Sequence, residues 1–261
     1  MRVTSPPTIN PELRQILRRL KLGKITDTLP ERLTPARANN LSHVEFLELV
    51  LADEVEGRNR ISAVQRAKAA RLDPTMTLES WDAQAAVSYN RALLDELTSL
   101  RFVEDAHNAL ILGPVGVGKA HLAHALGHAA CRRRLRVHAD RADRMFKKLK
   151  ACRLDNSHEA EMRRLIAVDL LIIDDFALQT LDATETVDFY ELTVERHLKT
   201  ATILTSNREP PEWLAAMADP LLAQSAIDRL QSAAWELVIE GDSYRRRQKP
   251  ALNRTPHRRD P

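Results

Sequence analysis

Glycine is scarce in this chain, with seven residues in 261. Few backbone positions therefore have the freedom to adopt positive φ, and the places where glycines gather carry information. Aromatic residues make up only 4%, so the core must rest on Leu, Ile, Val and Ala. No aromatic–basic interleaving marks a surface for stacking single-stranded bases. The two cysteines, Cys131 and Cys152, have no metal-ligand spacing, which argues against a disulfide framework and for a reduced, cytoplasmic chain. No apolar run approaches the ~20 residues needed to cross a bilayer. The first ten residues also lack a basic stretch followed by an apolar one, so neither a secretory signal nor a membrane partner is expected.

What is present is a 44% hydrophobic content, sufficient for a real core, and a modest net charge of +3. Residues 1–75 read as a small all-α domain suited to partner or DNA contact. Leu13, Ile16, Leu17 and Leu20 recur at helical spacing. A second helix is expected over 25–37. A third opens at Ser42, where Ser-His-Val-Glu has the form of a capping box, and a fourth carries Arg58 to Arg71. Pro74 and the polar residues around it break the pattern and suggest a domain boundary. Over 76–245, short apolar segments alternate with helical ones. Strands are expected near 109–112, 136–139, 170–173, 201–204 and 237–239. That alternation implies an α/β domain with a parallel sheet flanked by helices. Residues 246–261 form a basic tail, expected to be disordered.

Three of the seven glycines lie in Gly113-Pro114-Val115-Gly116-Val117-Gly118-Lys119, directly after the first of these strands and at the start of a helix. In that context the segment is a P-loop: inward backbone amides and a helix N-terminus grip phosphate oxygens, and Lys119 adds a full charge. The position that normally supplies a Mg²⁺-ligating hydroxyl is Ala120, followed by His121. ATP binding is expected from this loop, and rapid hydrolysis is less assured. Leu170-Leu-Ile-Ile-Asp-Asp ends an apolar strand with two acids. Asp174 is the candidate Mg²⁺ ligand and Asp175 the group that orients water. Asn207, after the strand at 201–204, is a candidate γ-phosphate sensor.

These motifs, together with Ala38-Asn-Asn-Leu-Ser-His43, Glu45-Phe-Leu-Glu-Leu49, Asp219-Pro220 and Gly241-Asp-Ser-Tyr-Arg245, resemble the IstB family of transposition helper ATPases. That family is related to the DnaC helicase loaders within the AAA+ class. The resemblance covers nearly the full length and departs from the family pattern at Ala120. It implies an AAA+ fold, ATP with Mg²⁺ bound between subunits of a homo-oligomer, assembly on duplex DNA and an integrase-type transposase as partner. It also places Arg229 as an arginine finger offered to a neighbour and Arg245 as a sensor within the same subunit. A helicase loader and a nucleotide-gated DNA-binding protein with little hydrolysis are the alternatives.

Between Cys131 and Arg153 lie ten Arg or Lys residues and two acids. Arg132, Arg133, Arg134, Arg144, Lys147, Lys148 and Lys150 are candidate phosphate contacts on DNA, of the kind that bind without reading sequence. His121, His124 and His128 share a helix face. No fourth ligand is evident, so a metal is not expected there.

Overall fold

The computed structural model describes residues 9–82 and 87–244. The expectations for Arg245 and for the tail 246–261 fall outside these residues. Backbone packing separates two compact units, 1–65 and 66–261.

The first unit is helical. Helix α1 (Pro11–Arg19) is capped by Asn10, whose side chain accepts the Glu12 N–H at 3.0 Å. Helix α2 (Gly23–Ala38) has no side-chain cap of its own. The buried carboxylate of Glu54 takes that role, accepting the N–H groups of Lys24 and Ile25 at 2.8 and 3.1 Å. Ile9, Leu17, Ile25, Leu29 and Val50 form the small core. The Ser42 box is present, with Ser42 N–H donating to Glu45 at 2.7 Å and Glu45 N–H to Ser42 Oγ at 3.3 Å. It opens α3 (His43–Ala69), one continuous helix where the sequence suggested two. Gly57 does not break it. A Cβ there would stand 2.8 Å from the Lys24 side chain, so the absence of one lets α2 and α3 approach.

Residues 66–72 pack into the second unit, where Ala67, Ala70 and Leu72 are buried in its core. The division between the two units, after residue 65, thus falls earlier in the chain than the break at Pro74. The second unit continues with β1 (Val87–Ser88), α4 (Arg91–Thr98), α5 (Arg101–Glu104), β2 (Asn108–Leu112), α6 (Lys119–Arg132), β3 (Val137–Arg141) and α7 (Ala142–Cys152). Then come α8 (His158–Ile166), β4 (Leu170–Phe176), α9 (Ala183–Arg196), β5 (Ala201–Ser206), α10 (Pro210–Trp213), α11 (Pro220–Ser232), β6 (Ala234–Val238) and β7 (Glu240–Gly241). Helix α8 has no counterpart among the expected helices, because its short sequence is mostly charged and only the apolar Met162 and Leu165 are buried.

Five strands form a parallel sheet in the order β3-β4-β5-β2-β6, and β1 pairs with β7 in a separate antiparallel pair. Alternation along the strands feeds two cores. Ala109, Ile111, Leu170 and Ile172 face the side of α4 and α6, whereas Leu110, Leu112, Leu171 and Ile173 face α7, α9 and α11. Burial on both faces explains why these strands read as unbroken apolar runs. Asn108 fixes one end of the sheet. Its amide donates to Leu230 O at 3.1 Å, and its carbonyl accepts the Thr202 N–H at 3.1 Å.

Candidate nucleotide site

The loop after β2 is shaped by contacts that exclude side chains. Gly116 and Gly118 have φ of +87° and +100°. A Cβ on Gly116 would meet Ser243 Oγ at 2.1 Å, and one on Gly118 would meet the Trp81 ring at 2.5 Å. Tyr244 N–H donates to Gly116 O at 2.9 Å, so residues 243–244 brace the loop. Gly118 is the N-cap of α6 and supplies no side-chain cap, which leaves the first helical amides suited to an anion. Lys119 is buried, and its Nζ donates to the carbonyls of Gly113 and Pro114 at 2.7 Å each. The ammonium is thereby held across the loop.

Sheet order brings the acids to the same place. Strand β5 lies between β4 and β2, so residues at the carboxyl end of β5 stand between the acidic pair and the P-loop, in the crevice where α/β sheets bind ligands. The β4–β5 register shifts between Ile173 and Phe176, and Asp175 takes a left-handed φ of +54°. Thr205 ties the pair down. Its Oγ1 accepts the Asp175 N–H at 3.0 Å and donates to Asp174 Oδ1 at 2.5 Å. A cavity of about 520 Å³ is lined by residues 115–121, Asp174, Asp175, Thr205 and Asn207. Its volume suits a nucleotide-sized ligand. Ala120 presents no oxygen to it, whereas Asp174 offers a carboxylate already oriented by Thr205. Thr205 escaped the sequence reading; the signal was a hydroxyl at the end of an otherwise apolar strand.

The model of the family described as IstB-like ATP binding protein matches residues 15–251. The chain belongs to the IstB-like ATP-binding protein family. Among its relatives is a protein named for ATP binding in an insertion sequence of Mycobacterium tuberculosis, 36% identical over 242 residues, covering 92% of this chain and 96% of that one. Another, named for ATP binding in insertion sequence IS21 of Pseudomonas aeruginosa, is 34% identical, with 91% and 90% covered. Among solved structures, AMPPCP-bound DnaA from Aquifex aeolicus matches with a TM-score of 0.53 at 25% identity, over 63% of this chain and 50% of that one. DnaI matches with a TM-score of 0.54 at 19% identity, over 64% and 89%. Both likenesses bear on the fold, which is that of AAA+ P-loop proteins.

The remaining expected residues of this IstB-like protein lie elsewhere. Arg229, on α11, donates to Ser225 O at 2.9 Å and to its hydroxyl, and is not among the residues lining the cavity. The basic cluster is divided between two helices, and most of its charges have acidic partners. Arg132 and Arg133, at the end of α6, lie 3.5 Å from Glu79 and 3.7 Å from Glu104. Arg134 follows in a left-handed turn with φ of +65°. On α7, Arg144 pairs with Asp140, Lys147 lies 3.9 Å from Asp143, Lys148 2.8 Å from Glu161 and Lys150 2.6 Å from Asp182.

The three histidines of α6 hold the segment before β1 against the P-loop helix. Asp73 N–H donates to His124 Nδ1 at 3.0 Å. His128 Nε2 lies 2.8 Å from Asp73 O, and His121 Nε2 lies 2.9 Å from Thr77 O. Burial lowers the His124 pKa, more than the nearby Asp174 and Asp73 raise it. This favours the neutral ring that accepts the Asp73 amide.

Proposed function

We propose that this protein is an ATP-dependent helper of DNA transposition that assembles on duplex target DNA and cooperates, in the cytoplasm, with an integrase-type transposase. The observation that carries the reading is the convergence on one cavity of the P-loop amides, Lys119, Asp174 and Asn207, in a chain whose relatives are named for ATP binding in insertion sequences.

In this reading the amides of 115–121 and Lys119 hold the outer phosphates. Asp174 and coordinated waters would hold Mg²⁺, which supplies charge neutralisation at the phosphates. Asp175 orients the attacking water and Asn207 contacts the γ-phosphate. Arg229 serves as an arginine finger for the nucleotide of a neighbouring subunit, and Arg245 is assigned the role of sensor within its own subunit that the family resemblance implies. The helical N-terminal region, to about residue 75, contacts the transposase or DNA. The exposed cations at the end of α6 and along α7 meet DNA phosphates by exchanging intramolecular acids for the polyanion. Ala120 favours a second reading, in which ATP gates DNA binding with little turnover.

Size measurement on a duplex oligonucleotide tests the proposal. Large complexes should form with ATP and Mg²⁺, shrink without ATP, and fail to form with Lys119→Ala. Complexes of the same size in all three conditions would refute it. Phosphate release during assembly separates the two readings.

A further inference from the structure

The cavity has a second kind of wall that the phosphate chemistry does not use. Met76, Trp81, Val87 and Tyr244 line it opposite in character to Lys119 and Asp174. A triphosphate has no need of an aromatic wall; a flat, apolar-faced group does. We propose that Trp81 is the stacking platform for the nucleobase, and that the 73–81 segment is a base-recognition strap held in place by the three histidines of α6. The proposal rests on the ATP-binding reading and adds which residues make the site select a nucleoside.

Several independent contacts fix the ring. Its edge lies against Gly118, where a Cβ would come within 2.5 Å. The indole Nε1–H donates to Tyr89 Oη at 3.1 Å, which uses its one donor and sets the orientation of the ring. Tyr89 meets it edge-on at 6.0 Å, and the His121 ring lies 5.4 Å away. The strap itself is anchored by His121, His124 and His128, at Thr77 O and at both the amide and the carbonyl of Asp73. Inside the strap, Ser80 Oγ bonds to Thr75 O at 2.7 Å and to Thr77 O at 3.0 Å, which closes it into a tight turn just before Trp81. On the other side, the Tyr244 amide is bonded to Gly116 O. The platform is therefore tied to the same loop that grips phosphate, and its indole is set in place before a ligand arrives. Aromatic stacking tolerates any base, so Trp81 provides affinity for the base rather than a choice among bases.

Calorimetric titration with ATP and with inorganic tripolyphosphate, both with Mg²⁺, tests this. The intact protein should bind ATP more tightly than tripolyphosphate. Trp81→Ala should weaken ATP by about 10- to 100-fold, the range of one base–aromatic stack, and leave tripolyphosphate unchanged. Trp81→Phe, which keeps a ring and protects against a folding defect, should retain most ATP affinity. It should also abolish the ATP-dependent change in tryptophan fluorescence, because Trp213 is fully buried in the other core and Trp235 does not line the cavity. Equal weakening of both ligands by Trp81→Ala would make the ring a prop for the P-loop and overturn the proposal. So would unchanged ATP affinity. If the intact protein binds neither ligand, or Lys119→Ala binds both normally, the ATP-binding reading itself fails.

Discussion

Replacing Thr205 with Val removes one hydroxyl and nearly preserves shape, which makes it a clean probe of how the acidic pair is positioned. Thr205 is 1% exposed. Its hydroxyl accepts the Asp175 N–H at 3.0 Å and donates to Asp174 Oδ1 at 2.5 Å. Loss of a hydrogen bond to a charged group costs about 1.5–3 kcal/mol, and an amide left without an acceptor costs about 1–3 kcal/mol. Asp174 faces the cavity, so water recovers part of the first term, and a net loss of about 2–4 kcal/mol is expected. Urea denaturation should show this as a lower midpoint with an unchanged slope. Thr205→Ser should restore most of it. A Val variant within about 0.5 kcal/mol of the parent, the range of surface substitutions that break no specific contact, would show that the hydroxyl bridge does not hold the pair.

Other substitutions probe the frame around the site. Arg196 is buried and donates to the carbonyls of Leu165, Ile166, Val168 and Ala201. Arg196→Met should cost at least about 3 kcal/mol in denaturation, because several buried acceptors lose their donor together. The His138 ring is held neutral, with its pKa lowered to about 4 by burial and then by the Arg164 cation. A histidine depressed in this way stabilises the fold fully above its unfolded value near 6.5. That stability is lost as pH falls from there towards 4, by up to about 3 kcal/mol. Stability measured against pH should flatten over that window in His138→Asn; an identical slope would remove His138 as the cause. Glu161 is held at about 2 by Arg164, against burial and with help from Lys148. Its contribution is present above the unfolded value near 4.3 and is lost as pH falls from there towards 2, so it meets the His138 window only at the acidic end. Finally, Ala120→Thr should raise Mg²⁺-dependent ATP affinity or turnover, read by calorimetry and phosphate release; no change in either would show that water already serves that position.

The parts of the site legible in sequence were those in which local chemistry forces local residue choice. Gly116 and Gly118 occupy left-handed backbone against Ser243 and Trp81, and a strand buried on both faces must read as Leu170-Leu-Ile-Ile before it reaches Asp174. Contacts between distant segments were not legible. Nothing near Thr205 in sequence reports that β5 lies between β4 and β2. Nothing near Lys148 or Lys150 reports that Glu161 and Asp182 come to meet them, so a count of nearby charges overstated the free positive charge of α7. The histidines of α6 looked like a shared face without a purpose until Asp73 and Thr77 were brought onto it. Gly57 reads in sequence as a helix break, whereas its missing side chain makes room for Lys24 beside the continuous α3.

Every role proposed for this protein depends on ATP binding by the loop 113–119. Equilibrium titration of the purified protein with ATP and Mg²⁺ measures this directly, before any DNA or partner is added. One ATP per chain, lost in Lys119→Ala while the variant's unfolding midpoint is kept, is the expected result. No binding by the intact protein, or equal binding by the variant, would contradict the claim.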